Sequence, residues 1–312
     1  MDDVSTARSR ELGARLRGAR KTLGWTGNRL ARAIGWSPAK ASRLETGNRQ
    51  ADAVDVAYLL GFCHLSQEER DAILELLGDR APGCWVRPHA GVLPEAVPSV
   101  VCQQDLAGSV TVYDPCGIPP LLQTAEYAEA DLLPRYATSE EVMPHLRARL
   151  DRHGLLHRSK GPGVLVYLHE SALRSMPVAE EARAGQLLVM LMLAGQRQRV
   201  RLRVVPAGRE HTRVAVGAFQ LLRFADYPPV VCVPTQTVSL VLEGREHLEV
   251  FGRVLAGLDA VALSGADSIE LIRELADTAL REAPLVGVTE DESELERLIA
   301  EQAERGHRRE AG

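Results

Sequence analysis

The chain has 312 residues, 45% of them hydrophobic and 25% charged, with a net charge of −5, which suffices for two globular domains with separate cores. Its longest apolar stretch, Leu187 to Ala194, falls well below the roughly 18 residues that cross a bilayer, and the N-terminus has no apolar signal region, so the expected location is the cytoplasm, with no membrane partner. The cysteines (Cys63, Cys84, Cys102, Cys116, Cys232) stand apart without a Cys-x-x-Cys pair, which argues against a zinc ribbon and a dense disulfide framework.

Charge is unevenly placed. Between Arg8 and Gln50 eleven basic residues accompany two acidic ones, Glu11 and Glu45, giving +9 there and −14 elsewhere. A short basic module joined to an acidic one suits a protein of which one part approaches phosphate.

From Glu11 to Leu23, Leu12, Leu16, Ala19 and Leu23 recur at three- and four-residue spacing and predict an amphipathic helix. Gly24 stops it, and Thr26 caps a second helix that buries Leu30, Ala31 and Ile34. Ser37 caps a third, with Pro38 at its first position and Ala41 and Leu44 inward. Two short helices joined by a Gly-containing turn are a helix-turn-helix. The outer face of the third helix offers Ala39, Lys40, Ser42 and Arg43; Arg and Lys donate to guanine edges, and Ser pairs with either kind of base group. Thr26, Asn28, Arg29 and Ser37, together with Asn48, Arg49 and Gln50, are placed for the rest of the DNA contact, phosphate included. Helices at 53–60 and 66–77, the latter opened by a Ser66–Glu69 capping box, complete a five-helix all-α domain over 1–80. Ala81-Pro82-Gly83, then Pro88, Pro94 and Pro98, mark a linker over 81–98.

Residues 99–285 read as an α+β domain with a mostly antiparallel sheet flanked by helices. Helices are expected at 99–109, 123–133, 139–157, 179–197, 246–263 and 267–282. Strands are expected at Val164 to His169, Val200 to Val205, Ala215 to Phe224, Val230 to Val233 and Thr237 to Leu242. Residues 286–312 are a charged tail. Leu187 to Leu193 reads as a helix buried all round.

Candidates for chemistry are thin. His153 and His157 lie one helical turn apart, but no carboxylate or Cys at ligand spacing joins them, so no metal or cofactor is expected. Glu170, in an apolar run, is expected to pair with Arg147 or Arg149. Ser37-Pro38-Ala39-Lys40 spells a penicillin-binding Ser-x-x-Lys without its partner motifs. No enzyme is expected.

Leu30-Ala31-Arg32-Ala33-Ile34-Gly35-Trp36-Ser37 through Ala41-Ser42-Arg43-Leu44-Glu45-Thr46-Gly47 resembles the Xre/Cro-type helix-turn-helix. The resemblance implies a structural pair between an arginine of the first helix, matched by Arg17, and Glu45. It also implies a weakened phosphate clamp, since Gly27 stands where the family often has Gln. Further on, Ile118-Pro119-Pro120-Leu121-Leu122-Gln123-Thr124, His169-Glu170-Ser171-Ala172-Leu173-Arg174 and Val204-Val205-Pro206 resemble blocks of an actinobacterial family, the WhiJ-like, antitoxin-like regulators, in which an Xre-type N-terminus precedes a poorly defined domain. Pro120 replaces that family's usual Gly. The resemblance implies regulation, with a small acidic partner protein encoded nearby in an antitoxin-like pair; the capped helix-turn-helix and its +9 charge lead to a dimeric, nucleoid-associated repressor or antitoxin-like regulator on a palindromic double-stranded operator. Two alternatives are a partner-sequestering protein with weak DNA binding and a small-molecule-sensing regulator.

Overall fold

The computed structural model describes residues 5–48, 51–77, 83–89, 91–136, 138–158, 161–196, 199–208 and 217–283. Five helices come first: α1 (Ala7–Thr22), α2 (Gly27–Ala33), α3 (Pro38–Glu45), α4 (Ala53–Gly61) and α5 (Gln67–Leu74). Each begins where a side-chain oxygen takes an otherwise orphaned first-turn N–H: Thr6, Thr26, Ser37, Asp52 and Ser66. The Thr6 cap starts α1 four residues before the apolar pattern begins. Leu12, Leu16, Leu30, Ile34, Leu44, Val56, Leu59 and Ile73 close the helical core.

The rest is built on β1 (Cys84–Pro88), β2 (Ser109–Asp114), β3 (Gly163–His169), β4 (Val200–Val205), β5 (Phe219–Arg223), β6 (Val230–Pro234) and β7 (Val238–Leu242), in the order β1-β7-β6-β5-β2-β3-β4. The β2–β3 and β3–β4 pairs are parallel and the other four antiparallel, so the sheet is mixed although mostly antiparallel. Parallel neighbours require long crossovers. Helices α7 (Ala125–Leu132), α8 (Ser139–Asp151) and α9 (Gly154–His157) lie in the first, α10 (Glu170–Arg174) and α11 (Glu180–Gln196) in the second. Alternation along the strands splits the core in two. Val110, Val112, Val164, Val166, Leu202 and Val204 pack with α11, with α6 (Pro98–Leu106) and with α13 (Gly265–Glu282). Tyr113, Tyr167, Phe219 and Val231 pack with Leu255 and Leu258 of α12 (Arg245–Val261).

Four expectations are corrected. Cys84–Pro88 is edge strand β1 and not linker, a place where a terminal proline is tolerated because no ladder bond is lost. Strand β2, absent from the sequence reading, lies inside the sheet between β5 and β3. Helix α11 is not buried all round: Leu187, Met190 and Leu193 are buried, but Leu188 and Met192 are exposed. Glu170 pairs with Arg174, one turn along α10, and accepts the Ala207 N–H. That backbone bond, with the Arg174 contact, holds its pKa below the ordinary value. Arg149 instead donates to Gln123 and Asp131, fastening the loop that follows β2. Within that loop Pro120 opens a 3₁₀ turn, where its fixed φ fits and no N–H is required. The expected charged tail lies outside the described residues.

The two parts share a seam. Ala7 of α1 belongs to the core of the sheet domain, and Trp85 of β1 packs against both cores. Arg10 is fully buried there, donating to Gln103 of α6 and to Glu243 beyond β7, with Phe224 and Tyr227 against its guanidinium. Burial lowers its pKa, with Glu243 opposing. Glu11 is buried alongside and paired to Arg87 of β1 at 3.0 Å. The Tyr227 hydroxyl reaches the Thr46 carbonyl at the end of α3. Helix α1 and the end of α3 are thus held from behind.

Candidate nucleic-acid interface

Helix α3 is laid directly on α1. A Cβ on Gly13 would stand 2.5 Å from the Glu45 carbonyl oxygen, and one on Gly47, where φ is +70°, would stand 2.6 Å from the backbone of Ser9. Only glycine permits that approach and that backbone angle. Glu45 then turns inward to a two-pronged pair with Arg20, Nε to Oε1 at 2.7 Å and Nη2 to Oε2 at 2.9 Å. The hydrogen bonds to Glu45 hold Arg20 above its usual pKa. Arg17, the partner expected from sequence, is the weaker contact: its Nε is 3.5 Å from Oε2 and its Nη2 donates to the Glu45 carbonyl at 3.3 Å. Sequence reading missed Arg20, although it stands one helical turn from Leu16 and Leu23 on the same buried face.

With α3 anchored, its outer side presents Ala39, Ser42 and Arg43, all exposed. Ser42 also lines a cleft of about 270 Å³ with Arg17, Thr26, Gly27, Asn28, Pro38, Ala41 and Glu45. The Thr26 hydroxyl accepts the Arg29 N–H and the Ser37 hydroxyl the Lys40 N–H, so both caps are engaged within the fold. Arg29 lies over the Trp25 ring, and Asn48 is exposed beyond α3. Arg49 and Gln50 lie outside the described residues.

Lys40 departs from the sequence reading. Its ammonium sits 2.6 Å from Asp55 of α4 and 4.1 Å from the Trp36 ring centroid, which turns it from the α3 face toward α4. The basic charge is redistributed likewise. Arg10 and Arg20 are buried and Arg15 leans on Glu11, while Lys21, Arg29, Arg32 and Arg43 stay exposed. Glu11 and Glu45, the segment's two acidic residues, are buried as well, so burial removes as much negative charge as positive and the surface of the segment stays basic.

Family comparison bears on both halves. Residues 11–73 match a helix-turn-helix domain, and residues 99–274, more than half the chain, match a domain of unknown function, DUF5753. The chain belongs to the DUF5753 family. No curated protein and no solved structure matches it. The helix-turn-helix domain makes the chain a DNA-binding regulator of transcription, with double-stranded DNA as the ligand of α1–α5. The DUF5753 match runs from the second residue of α6 into α13, leaving β1 outside the matched span although it is paired in the sheet.

The DUF5753 domain offers little for chemistry among the described residues. No group of three His, Cys, Asp or Glu is placed to hold a metal ion. His153 is half-buried against the Pro120 carbonyl at 3.1 Å, and burial lowers its pKa. The Tyr113 hydroxyl and His169 Nε2 lie 2.8 Å apart inside the sheet. Cys63, Cys102 and Cys232 are buried, and burial pushes the thiols of Cys102 and Cys232 up to about 12, far from a reactive thiolate. No helix among the described residues is long and apolar enough to cross a membrane.

Proposed function

We infer that the chain is a sequence-specific repressor, dimeric on a palindromic operator, in which α3 enters the major groove and the DUF5753 domain is the regulatory part, without catalysis of its own. The observation that carries this reading is the exposed face Ala39–Ser42–Arg43 beside the cleft of Arg17, Thr26 and Asn28. A small, uncharged floor with one fork-shaped donor suits a base edge, and the cleft suits the flanking phosphate. The working location is the nucleoid of the cytoplasm. Genome-wide immunoprecipitation tests it, comparing the wild-type chain with Arg43→Ala. A few sharp sites that vanish in the variant support the reading. Unchanged sites in the variant refute the role of α3.

The exposed Leu188 and Met192, one turn apart on α11, favour a second role, antitoxin-like binding of a small acidic protein encoded nearby. That role fails if the purified neighbour shows no binding by calorimetry, or binds Leu188→Lys, Met192→Lys as tightly as the wild type.

A further inference from the structure

Helix α4 has an outer face without a charge. Ala53, Ala57 and Gly61 form one exposed row along it, and Val54, Tyr58 and Phe62 the next. Val54 is 73% exposed, Tyr58 49% and Phe62 36%. An outer helix face in water is ordinarily polar. The aromatic part is preorganised: Trp36 and Tyr58 ring centroids are 6.5 Å apart, and Tyr58 meets Phe62 edge-on at 5.3 Å. The nearest charges are engaged elsewhere, Asp52 as the cap of α4 and Asp55 with Lys40.

We propose that this face is where two copies of the chain meet, α4 against α4 about a two-fold axis near Ala57 and Tyr58; the operator-bound form of this contact rests on the DNA-binding reading above. Three features select a second copy as occupant. The face is self-complementary: in an antiparallel crossing the ridge Val54–Tyr58–Phe62 of each copy meets the groove Ala53–Ala57–Gly61 of the other, which is i±4 ridge-in-groove packing. It adjoins the recognition helix through Lys40–Asp55 and Trp36–Tyr58, so a contact here fixes the spacing of two α3 helices, as a symmetric site requires. Its size also fits. A nine-residue helix is about 13 Å long and about 10 Å wide, well short of the roughly 800 Å² per partner of a stable complex. The contact is therefore weak in free protein and forms on DNA, where adjacent half-sites raise the effective concentration to about millimolar. Nucleic acid is a poor occupant of a face that carries no cation and offers phosphate the Tyr58 hydroxyl alone.

The test uses the full chain with Cys84→Ser and Cys116→Ser, removing the exposed thiols, and a two-half-site duplex recovered from a random pool by the wild-type chain. Ala57→Cys is expected to cross-link two copies under mild oxidant, at least tenfold faster on that duplex, whereas Glu68→Cys does not. Tyr58→Glu, with Val54→Lys as a second variant, is expected to keep the melting temperature and single-half-site affinity. Either variant loses at least tenfold in cooperativity between half-sites. If no duplex is recovered but the cross-link forms and Tyr58→Glu abolishes it, the surface stands and the DNA reading falls. Unchanged cooperativity in both variants overturns the proposal, as does a wild-type chain that stays monomeric in concentrated solution and on the duplex. Cross-linking only after removal of residues 284–312 makes that segment the occupant and also overturns it.

Discussion

Arg10 of α1 and Glu243 beyond β7 lie 3.2 Å apart in the seam between the helix-turn-helix and the sheet, with the Arg10 side chain fully buried. The pair ties two cores that the sequence presents as separate. Glu243→Ala leaves a buried guanidinium with Gln103 and the Ser5 carbonyl as remaining acceptors, and orphaning one partner of a buried pair costs about 3–5 kcal/mol. The expected result in chemical denaturation is a large drop in midpoint. Arg10→Met with Glu243→Leu, which removes both charges, recovers much of that loss.

Glu45→Ala and Arg17→Ala separate the two arginines that reach Glu45. Losing Glu45 strands buried Arg20 and is expected to cost about 3–5 kcal/mol. Losing Arg17, half-exposed at 3.5 Å, costs below about 1 kcal/mol. Circular dichroism during urea unfolding reads both, and equal losses would show that Arg17 is the true partner.

Arg43→Ala and Lys40→Ala are expected to differ in kind. Arg43 is exposed, with its Nε donating to the Ala39 carbonyl at a long 3.4 Å that a base can replace, and its removal should weaken binding to the selected duplex by roughly 10- to 100-fold, the worth of about 1–3 kcal/mol for a good base contact. Lys40 is committed to Asp55, so Lys40→Ala should change affinity only a few-fold while lowering the melting temperature. Fluorescence anisotropy alongside thermal melts decides, and the reverse order would place Lys40 in the groove.

These contrasts mark where the sequence was legible. Thr26, Ser37 and Ser66 announced their helices because a cap is a local interaction written within four residues. Val200, Leu202 and Val204 announced β4 because an edge strand with one wet side alternates. Strand β2 is interior and buried through Val110, Thr111, Val112 and Tyr113, so its alternation carries no polar contrast, and the helix expected at 99–109 overran its start. At the candidate site, Ala39, Ser42 and Arg43 followed from helical periodicity alone. The choice of Arg20 over Arg17, and the turning of Lys40 toward Asp55, depend on how α1 and α4 pack on α3, and no local pattern encodes that.

Asp114 at the end of β2 gives a pH prediction. Burial raises its pKa even though the N–H groups of Cys116 and Gly117 donate to it. A carboxyl with a raised folded-state pKa burdens the fold while ionised, fully above the folded pKa and not at all below the unfolded value near 3.8. Asp114→Asn keeps an acceptor oxygen and removes the charge. The variant should be at least as stable as wild type at pH 7.5, with its advantage shrinking as pH falls through the folded pKa toward 3.8. Urea midpoints at a series of pH values test this; an advantage that grows on acidification would mean the carboxylate stabilises the fold.

Gly27 opens α2 at the mouth of the cleft, and a Cβ there would meet nothing within 4 Å. Its backbone is ordinary, so a larger residue adds no strain, and replacing glycine in a helix gains up to about 1 kcal/mol on propensity. Gly27→Gln places an amide donor beside Arg17, Thr26 and Asn28, where a phosphate oxygen would lie if the cleft flanks the groove. A neutral donor to charged phosphate is worth about 1.5–3 kcal/mol, so affinity for the selected duplex should rise by roughly tenfold or more. Because the new contact is uncharged and releases no counterion, the salt dependence of binding should not steepen. Anisotropy titrations at two salt concentrations check both parts. A higher melting temperature without any gain in affinity would show that the cleft does not face the DNA backbone.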